Sequence, residues 1–214
     1  MSNNSTARIQ APWIASDINP AKLDSPHWQS ATPVEIKRRW SGEAAPLNHY
    51  AEARILWSDH ALCVRFDCRQ TEPPIVSAQP QLDRKTIGLW HRDVCEIFIA
   101  PDPDLPSRYF EFEAAPNGEW VDVAIRFQES ERNADFEFNS GMKVAASVGE
   151  GQLIVVMSIP WSNSIPKPEK GERWRINLFR CIGVGNERYL AWQPTFTAEP
   201  NFHVPEFFGW LEFV

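Results

Sequence analysis

The chain has 214 residues, with 21 Lys and Arg against 28 Asp and Glu, a formal net charge of −7 and a sequence pI of about 5.3. This acidic balance disfavours nucleic acids and anionic membranes as partners, because both attract basic surfaces. A hydrophobic fraction of 43% excludes a disordered chain,. Ten tryptophans are more than a core of this size requires, so some of these rings are expected at a surface that uses their flat faces,.

The first residues lack the pattern of a targeting signal. Residues 1–6 contain no apolar segment, so a cytoplasmic location is expected for the sequence as given. A chain whose signal had been removed would instead be extracellular or periplasmic. No window contains the roughly 18 apolar residues of a transmembrane helix. The basic run Lys37, Arg38 and Arg39 is predicted to be a solvated strand end, because the chain around it is acidic,.

Alternation of apolar and polar residues is the main pattern along the chain. Residues 53–57 and 62–68 alternate on either side of a polar turn at 58–60, which predicts a hairpin with one wet face. A second hairpin is predicted around the Gly-Glu-Gly sequence at 149–151,. The predicted strands after the first hairpin are 94–99, 109–114, 119–127, 142–148, 152–159 and 174–181.

Short strands without helical periodicity define the expected fold class. Residues 163–172 are too rich in proline and lysine to form more than a helical turn,. The pattern predicts an all-β fold, an antiparallel two-sheet β-sandwich or jelly roll. No linker divides the chain, so residues 1–214 are predicted to form a single domain. The longest break between strands, 72–88, directly precedes Trp90 and is predicted to form the rim of a site,.

The four cysteines are predicted to be free and buried. Cys63 and Cys68 share one predicted strand, where five residues separate them by roughly 16 Å, beyond the reach of a disulfide. Cys95 and Cys181 lie in apolar runs, and there is no C-x-x-C sequence. The five histidines are scattered without an i, i+4 pair,. The sequence therefore predicts no zinc site and no cofactor.

Strand parity predicts which side chains share a face, because alternate residues of a strand point to opposite sides. The core-facing set is expected to be Cys95, Ile97, Ile99, Phe110, Phe112, Val121, Val123, Ile125, Trp174, Ile176 and Leu178. The outward set is expected to be Trp90, Arg92, Glu96, Phe98, Tyr109, Glu111, Glu113, Trp120, Asp122, Arg126, Arg175, Asn177 and Phe179. On neighbouring strands, the outward set combines carboxylates, guanidinium groups, an amide and aromatic rings.

Such a face suits a neutral polyhydroxylated ligand. Sugar rings present apolar C–H faces to aromatic rings, and their hydroxyls exchange hydrogen bonds with Arg, Asn, Glu and Asp side chains. The alternative is a wet sheet face on which these charges form cross-strand ion pairs. In that interpretation Glu96 pairs with Arg92 or Arg180, and Trp90 only caps the edge of the sandwich.

A hydrolase is the enzymatic alternative. Glu96 with Glu111 or Glu113 would supply the carboxylate pair of a glycosidase, but adjacent strand positions reach such spacings too readily to be diagnostic. The sequence has no nucleophile elbow, P-loop, dinucleotide fingerprint or His–carboxylate metal cluster,. A non-catalytic binding protein is therefore the preferred expectation.

Three segments resemble the family 9 carbohydrate-binding modules, a group within the DOMON-like β-sandwiches. They are 53–59 (ARILWSD), 90–99 (WHRDVCEIFI) and 207–211 (FFGWL). The pair Asp24 and Trp28 resembles a diverged form of the family's opening signature. The most specific element is W-x-x-D-x-x-E-I-F-I, and the resemblance extends over nearly the whole chain.

The resemblance implies a module that holds a mono- or oligosaccharide between two aromatic rings and supports carbohydrate catabolism, often beside a glycoside hydrolase. Trp90 matches the first ring and Glu96 a carboxylate that binds sugar hydroxyls. The second ring falls at Phe202, with Trp192 or His203 as alternatives. Further carbohydrate-binding candidates are Glu111, Trp120 and Asn177. Family members also bind structural calcium, although no clustered Asp/Asn loop identifies its ligands here.

Two other functions stay open at this point. A haem-binding DOMON-type domain would need an axial pair such as Met and His, for which Met142 and Met157 are the internal methionines. A structural or interaction module with a degenerate sugar cleft would explain the missing second tryptophan. Asp93 and Asp24 are expected to accept hydrogen bonds from turn or loop N–H groups. Sugar identity and oligomeric state are not fixed by the sequence.

Overall fold

The computed structural model describes residues 7–129 and 131–214, and these residues form two β-sheets packed face to face. The β-sandwich predicted from the sequence is therefore confirmed. Residues 1–6, on which the expectation of a missing signal rests, lie outside the described residues. In the described part of the chain, no helix is both long enough and apolar enough to cross a membrane.

The larger sheet has nine strands among the described residues. Its main path runs β1-β14-β12-β6-β7-β8-β9, with β13 paired to β12 and β3 paired to β13. All its pairs are antiparallel except β1 with β14. The strands are β1 (Arg8–Ala11), β3 (Arg38–Arg39), β6 (Val94–Ala100), β7 (Arg108–Ala114), β8 (Trp120–Gln128), β9 (Glu131–Asp135), β12 (Arg173–Cys181), β13 (Tyr189–Ala191) and β14 (Gly209–Phe213).

The smaller sheet has five antiparallel strands in the order β10-β11-β5-β4-β2. These strands are β2 (Val34–Ile36), β4 (Ala51–Trp57), β5 (Ala61–Arg69), β10 (Lys143–Gly149) and β11 (Gln152–Pro160). Five short 3₁₀ turns connect described strands, at Pro26–Ser30, Leu47–His49, Leu89–His91, Asn186–Arg188 and Pro205–Phe207.

The predicted strands and both predicted hairpins are present, within one or two residues of their expected ends. The short strands β1, β2, β9, β13 and β14 were not predicted. β9 is polar (ERNAD) and lies at the edge of the larger sheet, so it lacks the apolar alternation that marks a half-buried strand,. The basic run of Arg38 and Arg39 forms the two-residue strand β3, in agreement with its assignment to a strand end.

The main core lies between the sheets and contains the alternating residues expected from β6 and β12. Cys95, Ile97 and Ile99 pack there with Trp174, Ile176 and Leu178. All four cysteines are free and buried, as predicted. Across the two sheets, the Cys68 and Cys95 sulfurs lie 3.5 Å apart.

A second apolar cluster covers the outer face of the larger sheet and corrects the predicted parity of β8. Val121, Val123 and Ile125 lie in this outer cluster, not in the inter-sheet core. The register pairs Glu111 with Val123, which puts both side chains on the same face,. Apolar alternation identified one face of β8 correctly but not which side of the sheet it covers, because the outer side of the sheet carries an apolar cluster of its own.

Asp122, expected to face outward, lies on the opposite face of β8 and is completely buried. Its Oδ1 is 2.6 Å from the Lys85 Nζ, and its Oδ2 accepts hydrogen bonds from the Ser140 N and Oγ at 2.7 and 2.6 Å. Lys85 also donates to the carbonyls of Asp122 and Phe136 at 2.9 and 3.0 Å, and to that of Phe138. This buried ion pair anchors the loop 72–88 to the edge of the sandwich.

Candidate functional site

A cavity of about 340 Å³ opens on the outer face of the larger sheet. This volume lies at the lower end of the range of about 300–1,000 Å³ for small-molecule sites. Its floor comes from adjacent strands and includes Glu96 of β6, Glu111 of β7, Val123 and Ile125 of β8, and Cys181 of β12. Its walls include Trp90, Arg132, Ala134, Phe136, Tyr189, Pro200, Asn201, Phe202 and His203.

Trp90 enters the cavity from the 3₁₀ turn that precedes β6. Gly88 begins this turn with a φ of 83°, a left-handed conformation that glycine adopts without steric cost,. The Trp90 ring is partly exposed and stacks on Phe136, with ring centroids 6.2 Å apart and an interplanar angle of 28°. Trp90 therefore presents a flat aromatic surface to the cavity.

A second aromatic wall is built from Phe202 and Tyr189. Phe202 stacks on Phe179 of β12 with centroids 4.0 Å apart, and Tyr189 meets Phe202 edge-on at 5.7 Å. Phe136 follows β9 whereas Phe179 belongs to β12, and β6 and β7 lie between these strands. The two aromatic walls thus flank the strands that carry Glu96 and Glu111.

Asp93 of the W-x-x-D-x-x-E sequence ties the surrounding loops together. Its Oδ2 accepts hydrogen bonds from the Gln70 Nε2 at 2.8 Å and the Ile75 N at 3.2 Å, and its Oδ1 accepts one from the Gly183 N at 2.8 Å. The expected role of Asp93 in satisfying loop N–H groups is confirmed. Asp24 differs: its carboxylate is highly exposed and lies 3.7 Å from the Arg65 Nη1.

The loop 72–88, predicted to form the rim, supports the site without lining it. Thr86 and the backbone of Gln81 both donate to the Glu119 Oε1 at 3.2 Å, and Arg92 donates to the Glu119 Oε2 at 3.0 Å. In the described chain, no residue of 72–88 contributes to the cavity lining. These bonds hold the segment that leads into Trp90.

Three carboxylates converge at the floor, those of Glu96, Glu111 and Glu113. One oxygen of each lies within 4.8 Å of the others, and the residues are only 2%, 6% and 0% exposed. The Cys181 Sγ donates to the Glu96 Oε1 at 3.3 Å. The Glu111 and Glu113 carboxyl groups share a hydrogen bond. Among residues 7–129 and 131–214, no N–H or hydroxyl donor reaches either oxygen of Glu113, and no cation forms an ion pair with any of the three.

The two arginines that were expected to pair with Glu96 bind other groups. Arg92 pairs with Glu119, and Arg180 donates to the carbonyls of His49 and Arg69 and to the Gln70 Oε1. The interpretation of this face as a set of cross-strand ion pairs is therefore wrong for the glutamate cluster.

Burial sets the protonation of these groups. Desolvation, followed by the charge of Glu111, raises the pKa of Glu96 to about 8,. Desolvation also raises the pKa of Glu111, and desolvation with the neighbouring acids raises the pKa of Glu113 well above its usual range. At neutral pH the empty floor therefore retains protons that exposed glutamates would release.

His203 is held neutral at the edge of the cavity. Burial and the nearby charge of Arg132 lower its pKa to about 3, and its Nδ1 lies 2.8 Å from the Tyr109 hydroxyl. The ring also packs against Phe98, with centroids 5.2 Å apart. His203 is thus a fixed polar wall group and carries no charge near neutral pH.

The structure brings Trp90, Glu96, Glu111 and Phe202 together in the cavity but places Trp120 elsewhere. Trp120 packs against the inter-sheet core, because it shares the face of β8 that carries Asp122 rather than Val121. Its expected place on the binding face followed from the inverted parity of β8.

Trp192 and Asn177 also lie outside the cavity lining. The Trp192 ring covers Gly209 so closely that a Cβ built there would lie 2.4 Å from its Cη2. Asn177 is fully buried, donates from its Nδ2 to the Gln193 carbonyl at 2.9 Å, and accepts from the Gln193 N at 3.0 Å. Both side chains fasten the chain after β13 to the sheet.

Sequence reasoning missed Tyr189, Arg132 and Phe136 as lining residues. They belong to β13, to β9 and to the segment after β9, which are elements too short or too polar to be predicted. The internal methionines, considered as haem ligands, are both in the inter-sheet core, so a haem site built on Met142 or Met157 is not supported.

Fold and site together define a class of protein: a β-sandwich with an aromatic-walled, acidic cavity on the outer face of one sheet. The model of a family described as "Carbohydrate family 9 binding domain-like" matches residues 21–214. The chain belongs to this family, as the segments around Trp57, Trp90 and Gly209 indicated. No curated protein sequence matches the chain.

Solved structures share the fold at low identity. A protein from Bacteroides uniformis with a suggested carbohydrate-binding function has a TM-score of 0.73 and 20% identity, over 98% of this chain and 100% of that one. A family 9 carbohydrate-binding module from Caldicellulosiruptor kristjanssonii in complex with glucose has a TM-score of 0.67 and 17% identity, over 97% and 96% of the two chains. A cellotriose complex of a family 9 module from the same organism has a TM-score of 0.67 and 16% identity, over 97% and 93%.

Proposed function

We propose that this protein binds carbohydrate in the cavity above Glu96 and Glu111, without catalysis. The main observation in support of this proposal is that a flat, partly exposed Trp90 ring lies beside the carboxyl groups of the cavity floor. The ring would pack against the C–H face of a sugar, and the carboxylates would accept hydrogen bonds from its hydroxyls. Family membership and the sugar complexes of similar structures support this proposal.

Two aromatic walls support a ligand held from both sides. The Trp90–Phe136 and Phe202–Tyr189 pairs flank β6 and β7, so a pyranose ring between them would contact apolar carbon on both faces. We assign the second wall to Phe202 and Tyr189 together, since Phe202 alone is only 8% exposed.

The position of the acids supports binding over hydrolysis. A glycosidase needs two carboxylates that flank the scissile bond, whereas Glu96 and Glu111 lie on adjacent strands of one floor, with their oxygens within 4.8 Å of each other. They would contact the same side of a ligand. A role in carbohydrate catabolism, implied by the family resemblance, stays a prediction.

Calorimetric titration with glucose and cellotriose tests the function. We expect the substitution Trp90→Ala to weaken binding at least about tenfold, a loss of about 1.4 kcal/mol or more, because the ring supplies the apolar contact.

Trp13→Ala is the matched control, since Trp13 is 46% exposed and lies outside the cavity. Absence of binding at millimolar sugar, or equal effects of the two substitutions, would contradict the proposal.

A further inference from the structure

The glutamate cluster contains more carboxyl groups than a neutral sugar requires. Glu96 and Glu111 line the cavity and suffice to accept hydrogen bonds from hydroxyls,. Glu113 adds a third carboxyl group behind them, with one oxygen within 4.8 Å of an oxygen of each. It is 0% exposed, and no N–H or hydroxyl donor among the described residues reaches its oxygens.

A buried carboxyl group without a cation is costly to ionise, because its charged form loses solvation. Folded proteins ordinarily bury an acid only with a partner. Within this chain such pairing occurs at Asp122, which binds Lys85 and Ser140. Among the described residues, Glu113 shares a hydrogen bond with the neighbouring Glu111 carboxyl group but pairs with no cation, which points to a cation supplied by the ligand.

The nearby protein cations do not fill this role. Arg188 donates from Nη1 to the His91 carbonyl at 3.0 Å and from Nη2 to the Arg92 carbonyl at 2.5 Å. Arg132 is exposed at the cavity mouth and forms no ion pair with the three glutamates, within the residues described. The floor is therefore an acidic cluster open to a cation from outside.

Cavity composition favours an organic ammonium over a metal ion. A hard divalent cation such as Ca²⁺ takes about six to eight oxygen ligands, whereas the walls here are mostly the rings of Trp90, Phe136, Phe202 and Tyr189. Aromatic faces attract ammonium groups through the ring quadrupole, and carboxylates bind them through charge-assisted hydrogen bonds. Rings around an acidic floor satisfy both requirements.

We propose that the preferred ligand is an amino sugar whose protonated amino group is bound between Glu96 and Glu111, with Glu113 behind them. The inference rests on the proposed function, since the same cavity would hold the sugar ring. The ring would pack on Trp90 while the ammonium supplies the cation that the buried cluster lacks.

Three monosaccharides that differ in one substituent test this inference. Calorimetric titration of the intact chain at pH 6.5 would compare glucosamine with glucose and N-acetylglucosamine, with EDTA present. We expect glucosamine to bind about tenfold more tightly than either neutral sugar, as for one added charge-assisted contact. Because this comparison uses only wild-type protein, it does not depend on any variant folding.

Variants then assign the preference to the cluster. Glu113→Gln keeps the shape of the side chain but removes its ability to ionise when an ammonium group binds, and we expect the ratio of glucosamine to glucose affinity to fall about fivefold. The control Glu52→Gln makes the same chemical change on the smaller sheet, outside the cavity, and is expected to keep the wild-type ratio.

The outcomes separate the two proposals. Binding of glucose with equal or weaker binding of glucosamine would overturn the amino-sugar inference and leave carbohydrate binding intact. Failure of all three sugars and of cellotriose would overturn both. Without EDTA, binding of Ca²⁺ alone that Glu113→Gln abolishes, with no glucosamine preference, would make the cluster a metal site and overturn the inference.

Discussion

Glu113 and Asp122 are two completely buried carboxyl groups on neighbouring strands with opposite surroundings. Asp122 faces the inter-sheet side and is bound by Lys85 and Ser140. Glu113 faces the outer side, and no N–H, hydroxyl or cationic donor among the described residues reaches it. The paired acid fixes a loop, whereas the unpaired acid lies beneath a cavity. Of these two buried acids, only the one without a cation lies next to a cavity, so burial of a carboxyl group alone does not indicate a binding site.

The largest expected effect comes from breaking the paired site. Asp122→Asn removes the charge that neutralises Lys85 and is expected to lower the free energy of unfolding by about 3 kcal/mol, because an unpaired buried cation remains. Urea denaturation at pH 7 measures it. The matched substitution Glu113→Gln should not destabilise the protein, and an equal loss in both variants would contradict the distinction between the two acids.

A smaller effect is expected from pH acting on the unpaired site. The folded pKa of Glu96 is raised to about 8 and that of Glu113 is raised well above its usual range, so the folded state keeps protons that the unfolded state releases above about pH 4.5. The stability contributed by these protons is complete below that pH and is lost as the pH rises through the folded pKa.

Between pH 6.5 and 8.5 the free energy of unfolding should therefore fall, by up to about 1.4 kcal/mol per pH unit for each retained proton. His203 does not oppose this trend, since its lowered pKa affects stability only below about pH 6.5. Glu113→Gln should flatten the slope and increase stability at pH 8.5 by about 1–3 kcal/mol. An unchanged slope in this variant would show that Glu113 does not hold a proton.

The smallest effect is expected from a third class of carboxylate, exposed and paired. Glu52 lies 3.3 Å from the Arg54 Nη2 on the outer face of the smaller sheet, and its side chain is 43% exposed. Glu52→Gln should change the free energy of unfolding by less than about 0.5 kcal/mol, because solvent screens such pairs. A loss of stability as large as that of Asp122→Asn in the same urea titration would show that burial does not determine how much a carboxylate contributes to the free energy of unfolding.

The sequence predicted those strands in which the alternation of apolar and polar residues arises from a single apolar face. The strands around Cys95, Ile97 and Ile99 alternate because one face is apolar core, and Trp90 with Glu96 stands in a specific motif. Glu111 was placed correctly because its strand pairs directly with β6.

The sequence could not predict features that depend on two apolar faces or on distant segments. The larger sheet has an apolar cluster on its outer side as well as the core between the sheets, so the alternation did not reveal that Val123 of β8 faces the cavity and Trp120 the core. The roles of Tyr189 and Phe136 depend on short edge elements brought in by the fold. That Glu113 lacks a cation among the described residues is a property of three-dimensional packing, which no local pattern encodes.

The floor and the walls of the cavity differ in how readily their backbone and sequence could change. Its acidic floor belongs to β6 and β7, each of which is hydrogen-bonded to a strand on both sides, so a backbone shift there would disturb the whole sheet. Most of its walls come from β9 at the sheet edge and from the segment 200–203. Substitutions in the walls of related or engineered proteins could therefore alter which ligand shapes the cavity accepts, while the carboxyl groups of the floor stay the same. Residues 132–136 and 200–203 are thus the natural positions for a library of altered specificity.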